Sequence, residues 1–229
     1  MLITRLLTGF VFAVVNSSDV RAETFEDGVA AYNRKDYETA FQLLYPLAER
    51  GNAVAQYDLG AMYEDGNGVA QDYAEAMKWF HRAADQGYAQ AQHNLGLMYW
   101  QGIGVAQNSA VAARWIRKAA EQGDAAAQPS LGEMYLGGLG VARNNVEAIR
   151  WYRKAADQGD ASAENSLGAM YVRGQGVGRD FALAHKWFSL AAANGRATAA
   201  NARDRLEAQM TPDQIAEARR LTREWNPKQ

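Results

Sequence analysis

The chain has 229 residues, of which 48% are hydrophobic, and a formal net charge of −2. This balance is ordinary for a soluble protein, and it provides no bulk positive field that would attract nucleic acid or an anionic membrane. The sequence contains no cysteine, which excludes disulfides, thiolate metal sites and thiol nucleophiles.

Residues 1–22 have the pattern of a secretory signal peptide. Arg5 precedes an apolar run from Leu6 to Val15, and the segment ends in the small residue Ala22. We therefore predict cleavage after Ala22 and an exported protein, periplasmic or secreted, without a stable membrane span after cleavage. A retained transmembrane anchor is the alternative, although the apolar run is shorter than the roughly 20 residues that span a bilayer.

Four stretches of the chain repeat without insertion or deletion. Equivalent glycines recur every 36 residues, at Gly60, Gly96, Gly132 and Gly168. A fixed period of this length indicates stacked copies of one small unit rather than a single globular core. We expect the four units at 52–87, 88–123, 124–159 and 160–195, between an atypical helix pair at 23–51 and capping helices at 196–229.

Each unit is predicted to form two antiparallel helices, A and B, as the first copy illustrates. Ala53 to Glu64 carries apolar residues at helical spacing. Gly66 and Gly68 end this helix A, because glycine tolerates the left-handed backbone of a helix terminus. Asp72 is placed to cap helix B, which is predicted to end at about Gln86.

Small and large residues recur at fixed positions in the helices. The glycine inside each helix A costs about 1 kcal/mol relative to alanine, so its repetition predicts that helix B approaches closely there. One tryptophan per unit is expected to fill the seam between helices, and each indole N–H is expected to find an internal acceptor. These tryptophans are Trp79, Trp115, Trp151 and Trp187.

Charged residues of helix B and both ends of the array complete the pattern. The basic residues Lys78, Arg114, Arg150 and Lys186 are interpreted as a solvated outer face, with a phosphate- or nucleic-acid-binding stripe as the alternative.

The two ends of the array differ from its middle. The loop of the first unit is four residues shorter than the others. Thr211 to Gln214 begins a capped final helix that we expect to cover the last unit.

The recurring motif is A-x-x-x-L-G-x-M-Y-x-x-G-x-G-V followed by [DN]-x-x-x-A-x-x-W-[FIY]-x-x-A-A-x-x-G. Over residues 24–209 it resembles the Sel1-like repeats, which are relatives of tetratricopeptide repeats. The resemblance implies an all-α, right-handed α-solenoid with a C-terminal capping helix and a concave groove lined by the A helices. It also implies a role as a scaffold or adaptor, often in exported bacterial proteins.

Helix A residues beside the seam hardly repeat, whereas the seam residues do. This contrast predicts a partner-binding groove that accepts a protein or peptide, and unconstrained surface is the alternative. The candidate contact residues are Tyr57, Glu64, His93, Leu97, Trp100, Glu133 and Leu136. Trp100 ranks first because an exposed tryptophan often dominates binding energy. Pro129, in the third helix A, is expected to start or kink that helix.

No catalytic motif accompanies the repeats. His-Glu-x-x-His, Gly-x-Ser-x-Gly and a unique phosphate-cradling loop are all missing from the sequence, and its three histidines occupy different repeat positions. We predict a non-enzymatic protein without catalytic residues, metal or cofactor. An envelope polysaccharide or peptidoglycan, stacked on aromatic groove residues, is the alternative ligand.

Overall fold

The computed structural model describes residues 24–225, which form α-helices and no β-strand. In chain order the helices are α1 (Phe25–Asn33), α2 (Tyr37–Glu49), α3 (Ala53–Asp65), α4 (Tyr73–Asp85), α5 (Ala89–Gln101), α6 (Ser109–Glu121), α7 (Ala127–Gly137), α8 (Asn145–Ala156), α9 (Ala161–Arg173), α10 (Phe181–Ala193), α11 (Ala197–Glu207) and α12 (Pro212–Arg223). Odd-numbered helices are A helices and even-numbered helices are B helices. Each packs chiefly on its neighbours in the chain, so the units form the predicted right-handed α-solenoid.

The signal peptide predicted for residues 1–22 lies outside the described residues. Within residues 24–225, no helix combines the length and apolarity that crossing a membrane requires.

The turns between A and B helices follow the sequence prediction. The first glycine of each loop has a φ between 65° and 75°, in the left-handed region, at Gly66, Gly102, Gly138 and Gly174. A capping side chain precedes each B helix and accepts a backbone N–H of its first turn. The capping residues are Asp72, Asn108, Asn144 and Asp180. In the first unit, α1 ends at Asn33 and α2 begins at Tyr37. That connection is the shortened one.

The glycine inside helix A marks a close helix contact, as predicted. A Cβ added to Gly96 would lie 2.5 Å from Cγ1 of Ile116, and one added to Gly60 would lie 2.6 Å from the Phe80 ring. Both distances are shorter than real Cβ contacts. Helix B therefore reaches helix A only because the side chain is absent, which explains why a residue unfavourable to helices recurs there.

The tryptophans fill the seam between successive units, with one exception in burial. Trp79, Trp151 and Trp187 are buried, whereas Trp115 is only partly buried and contacts the His81 ring. The prediction that every indole N–H finds an internal acceptor is wrong for Trp151 and Trp187, whose Nε1 atoms have no hydrogen-bond partner among the described residues. Trp151 and Trp187 lie among apolar side chains, and each helical carbonyl nearby already accepts the N–H of the residue four positions later.

The buried polar residues of the A helices form a repeating link between helices. The Gln86 side chain donates to Gln56 Oε1 at 2.7 Å, and Gln56 donates to the Ala48 carbonyl of the preceding unit at 2.9 Å. The same hydrogen bond recurs in the next two units, where Gln122 donates to Gln92 Oε1 and Gln158 donates to Gln128 Oε1. In the fourth unit the acceptor position holds Glu164.

Glu164 is therefore a carboxyl group at a position built for an amide. It is 1% exposed, and the Asn194 amide donates to its two oxygens at 3.1 and 3.0 Å. Burial raises the pKa of Glu164 to about 6, Asn194 acts in the opposite direction, and Asp160 raises the pKa further. Among residues 24–225 the ionised carboxylate has no cationic partner, which is costly in a buried position.

We expect Glu164→Gln to stabilise the protein by about 2 kcal/mol at pH 7, the equivalent of a pKa raised from 4.5 to about 6. A folded-state pKa that is raised makes the parent most stable below pH 4.5 and less stable as the pH rises through 6. The difference between variant and parent should therefore shrink on acidification. Urea denaturation from pH 4 to pH 8 measures it. Glu121→Gln, on the exposed face of α6, is the control, and equal behaviour of the two variants would contradict the prediction.

The last helix caps the array as predicted. Thr211 and Gln214 form a reciprocal capping box with Pro212 in the first turn. Ala218 is fully buried, and the Trp225 ring packs against Trp187 with centroids 5.0 Å apart. The end of the apolar seam is thereby shielded.

The basic residues of the B helices do not form a continuous outer stripe. Lys78, Arg114 and Arg150 are exposed, as interpreted from the sequence. Lys186 is instead 8% exposed, and its Nζ lies 4.5 Å from the Trp187 ring and 4.0 Å from the Trp225 ring. The solvated-face interpretation is wrong for Lys186, because Trp225, two residues beyond the end of α12, places a second aromatic ring over it.

Candidate functional site

Within the described part of the chain, clefts between three pairs of successive A helices lie on the face that these helices form. The first, between α1 and α3, encloses about 290 Å³, the second, between α7 and α9, about 400 Å³, and the third, between α9 and α11, about 370 Å³. We call them the N-terminal, central and C-terminal clefts. The N-terminal cleft is lined by Val29, Tyr32, Asn33, Tyr57, Asp58 and Ala61.

The helix A positions chosen from the sequence recur in these clefts. Tyr57 lines the N-terminal cleft, and Glu133 and Leu136 line the central one. Their counterparts in the fourth repeat line the C-terminal cleft, namely Asn165, Ala169 and Val172. The unrepeated positions thus face one surface that runs across the stacked A helices.

Leu97 and Trp100 occupy the corresponding positions of α5. Both are partly buried and pack against the apolar core around α6 and α7. The expectation that Trp100 is an exposed side chain is therefore wrong, because its ring rests on the core instead of standing free in the groove. Glu64, at the same repeat position in α3, is also partly buried.

His93 links two A helices. Its side chain is 9% exposed, its Nε2 lies 3.3 Å from Ser130 Oγ, and its Nδ1 lies 4.0 Å from an Asp124 oxygen. Burial lowers the pKa of His93, while Asp124 acts in the opposite direction. A partner can reach only the small exposed edge of this ring.

Tyr57 belongs to an aromatic group at the wall of the N-terminal cleft. Its ring centroid lies 5.2 Å from that of Tyr88 and 5.7 Å from that of Phe80. Such packing fixes the ring and leaves one side towards the cleft. A rigid aromatic wall costs little conformational entropy when a ligand binds.

The N-terminal cleft contains a carboxylate without a cationic partner. Desolvation by burial raises the pKa of Asp58 to about 6. Burial and the neighbouring Asp65 also raise the pKa of Glu64, at the end of the same helix. Among the described residues, no ion pair involves Asp58 or Glu64, and no lysine or arginine lines this cleft. Asp58 is therefore the one charged residue among those that line the cleft.

The C-terminal cleft has the opposite charge. Arg173 and Arg205 line it together with polar Thr198 and Gln209, over an apolar floor that includes Phe188. Both arginines are exposed, and neither forms an ion pair with a residue of the described chain. The central cleft carries one charge of each sign, Glu133 and Arg196. The groove therefore changes from acidic to basic along the array.

Sequence reasoning missed residues that line the groove one position further along helix A. Asp58 lines the N-terminal cleft, and Ser130 and Ser166 line the central one. These positions hold a small polar residue in each unit, so they resemble ordinary helix surface. The signal that distinguishes them is the single charged member, Asp58.

The arrangement is suited to binding along a surface. Within residues 24–225, no three His, Asp or Glu side chains converge in a way that could hold a metal ion. The polar groups of the three clefts are separated by helices, so the clefts offer successive subsites for an elongated ligand.

Pro129 lies at the centre of the groove and starts its helix rather than kinking it. α7 begins at Ala127, whereas the equivalent helices α3, α5 and α9 begin two residues earlier in the repeat. Pro129 thus stands in the first turn, where a missing N–H removes no helical hydrogen bond. Asp124 Oδ1 accepts the Ala127 N–H at 2.7 Å and closes this shortened turn.

Comparisons with known proteins agree with this architecture. The family model described as Sel1 repeat matches residues 25–52, 53–88, 89–124, 125–160 and 161–195. No curated protein matches the sequence.

Solved structures of bacterial repeat proteins are similar to the chain. A protective antigen of uropathogenic Escherichia coli with an SLR fold is 37% identical over 87% of this chain, with a TM-score of 0.79, and the chain spans 45% of its length. A Sel1 repeat protein from Oxalobacter formigenes is 33% identical, with a TM-score of 0.76, over 86% of this chain and 85% of its own. An immunity protein from Pseudomonas aeruginosa, 22% identical with a TM-score of 0.51 over 86% of this chain and 78% of its own, shares the fold.

The repeat motif, the stacked helix pairs and five matched units covering most of the sequence lead to one assignment: this chain belongs to the Sel1-repeat family.

Proposed function

We propose that the protein is a non-enzymatic adaptor that binds a partner protein or peptide in the groove lined by its A helices. The observation that carries the proposal is the alignment of unrepeated helix A residues along three clefts, while the repeated residues are used in the seam. Sel1-repeat proteins generally act as protein-interaction scaffolds and are typically non-catalytic, which supports this role.

Trp100→Ala is expected to weaken partner binding about tenfold or more, since tryptophans at an interface contribute strongly. Because Trp100 also packs on the core, a modest loss of stability is expected as well. Leu95→Ala, at a fully buried position of the same helix that no partner can reach, controls for that loss. The proposal is contradicted if Trp100→Ala weakens binding only in proportion to the unfolded fraction measured by thermal denaturation.

Site-specific photocrosslinking identifies the partner and its position. A photoreactive amino acid replaces Leu136 in the groove or Arg114 on the exposed face of α6, and crosslinking is carried out in the source organism. A partner captured from Leu136 and absent from Arg114 would support the groove. Capture from Arg114 alone would move the interface to the B helices and overturn the proposal.

An envelope polysaccharide is the second candidate, favoured by the tyrosines Tyr32 and Tyr57 in the N-terminal cleft. Aromatic faces stack on sugars as well as on peptides. Soluble glycans that shift tyrosine and tryptophan fluorescence, and that compete with the crosslinked protein, would support this ligand.

The proposed setting is the cell envelope or the secreted fraction. It rests on the signal-peptide pattern of residues 1–22. N-terminal sequencing of the protein purified from its source should begin at Glu23. A sequence beginning at Met1 in the cytoplasmic fraction would exclude export.

A further inference from the structure

We propose that the groove binds an extended peptide segment that carries a basic residue at one end and an acidic residue at the other. The basic residue occupies the N-terminal cleft, and the acidic residue occupies the C-terminal cleft. This inference rests on the proposed function and adds the chemistry and the orientation of the partner.

The N-terminal cleft has the groups that hold an ammonium or guanidinium ion. Asp58 offers a carboxylate, and Tyr32 and Tyr57 flank it with aromatic rings. Cations bind both to carboxylates and to the faces of aromatic rings, and each contact is stronger where water is partly excluded. Bound lysine or arginine would neutralise a desolvated carboxylate that no described side chain pairs with.

The C-terminal cleft has the complementary groups. Arg173 and Arg205 approach it from α9 and α11, so a carboxylate placed between them can accept hydrogen bonds from two guanidinium groups. The apolar floor formed by Val172 and Leu206 accommodates the methylene groups of an aspartate or glutamate side chain. A lysine or arginine of the partner would be repelled there.

The spacing of the two clefts sets the length of the segment. Adjacent A helices touch through side chains, as the contact between His93 of α5 and Ser130 of α7 shows. Four helix intervals separate the clefts, which at about 8–10 Å each amounts to roughly 30–40 Å. An extended peptide covers this distance in about ten residues.

The charge order opposes binding in the reverse direction. A segment inserted backwards would place its acidic residue beside Asp58 and its basic residue beside Arg173 and Arg205. Like charges brought together in a partly desolvated site are strongly unfavourable, and such repulsion is a common source of specificity.

A library of random 16-residue peptides, displayed and selected on the full chain, tests this proposal. We expect enriched peptides to share a basic and an acidic residue about ten positions apart, always in the same order. Selection on Asp58→Asn should lose the basic residue and keep the acidic one. Selection on the double variant Arg173→Ala, Arg205→Ala should do the reverse.

Synthetic copies of the enriched peptides give the size of the effect. Fluorescence anisotropy should show about tenfold weaker binding to Asp58→Asn, as for loss of a charged hydrogen bond, and less than a twofold change for Asp85→Asn, an exposed carboxylate on α4. Arg114→Ala is the matched control for the arginines. Thermal denaturation verifies that each variant is folded.

The outcomes separate this inference from the function on which it rests. Peptides that require Trp100 but show no charge pattern would overturn the inference and leave the groove intact. Peptides that bind equally to the parent and to Asp58→Asn would also overturn it. A selection that enriches no peptide, or only peptides indifferent to Trp100→Ala, would overturn both.

Discussion

Gly140→Ala is expected to destabilise the protein by about 3–4 kcal/mol, a large loss for a single methyl group. Gly140 has a φ of +68°, where an alanine Cβ costs roughly 1 kcal/mol or more. The added Cβ would also lie far inside van der Waals contact of the Ser109 carbonyl oxygen, at the start of α6 in the preceding unit. Backbone cannot rotate away as a side chain can, so the loop and the neighbouring unit must separate, an overpacking cost of about 2–3 kcal/mol.

A second glycine isolates the contact from the backbone strain. Gly159 has a φ of +82°, and a Cβ added there would meet no atom within 4 Å, so Gly159→Ala carries the strain alone. Urea denaturation, followed by circular dichroism and by fluorescence, should give Gly140→Ala a clearly lower free energy of unfolding than Gly159→Ala. Coincidence of the two probes establishes that the array unfolds in one step. Equal losses in the two variants would show that the contact between units does not matter for stability.

Features that depend on local backbone chemistry could be predicted from the sequence. Left-handed glycines, the side-chain caps and the reciprocal box of Thr211 and Gln214 each require only a few adjacent residues. The close approach at Gly96 could be predicted because glycine is unfavourable inside a helix, and its recurrence in every unit therefore indicates a packing requirement. The fold followed from these elements, since one helix pair and its period determine the whole stack.

Features that depend on neighbouring units could not be predicted in the same way. Lys186 shares its repeat position with exposed residues, yet Trp225, which follows α12, covers it. His93 shares its position with Tyr57, yet it is drawn into a contact with Ser130 and Asp124. Equivalent positions in a repeat have equivalent backbone, but their surroundings change when the next unit carries different side chains.

The candidate groove lies between these two cases. The helix A face followed from the period, and Tyr57, Glu133 and Leu136 line its clefts. The arrangement of its acidic and basic ends could not be predicted from the period. Asp58 lies in α3 and Arg205 in α11, and only the stacked array places them on one surface. The charges that we propose to select a partner are therefore a property of the assembled solenoid.

Trp151→Ala is expected to cost about 3–5 kcal/mol, the usual range for removing a large buried aromatic side chain. Trp151 is 4% exposed and packs into the core formed by α6 and α7, so it joins its own unit to the preceding one. Lys154 adds a cation–π contact, with its Nζ 4.2 Å from the ring centroid. Loss of this side chain opens a cavity at the junction of two units, where no other element can fill it.

Two variants determine which property of Trp151 stabilises the fold. Trp115→Ala, at the same repeat position but only partly buried, should cost clearly less, because a solvent-facing site leaves a smaller cavity. Trp151→Phe keeps most of the apolar area and removes an indole N–H that has no partner among the described residues. We therefore expect it to lower the free energy of unfolding by only about 1 kcal/mol. Denaturant midpoints in the order Trp151→Phe, Trp115→Ala, Trp151→Ala, from most to least stable, are expected. If Trp115→Ala were as destabilising as Trp151→Ala, stability would depend on the repeat position itself and not on the burial that each neighbouring unit provides.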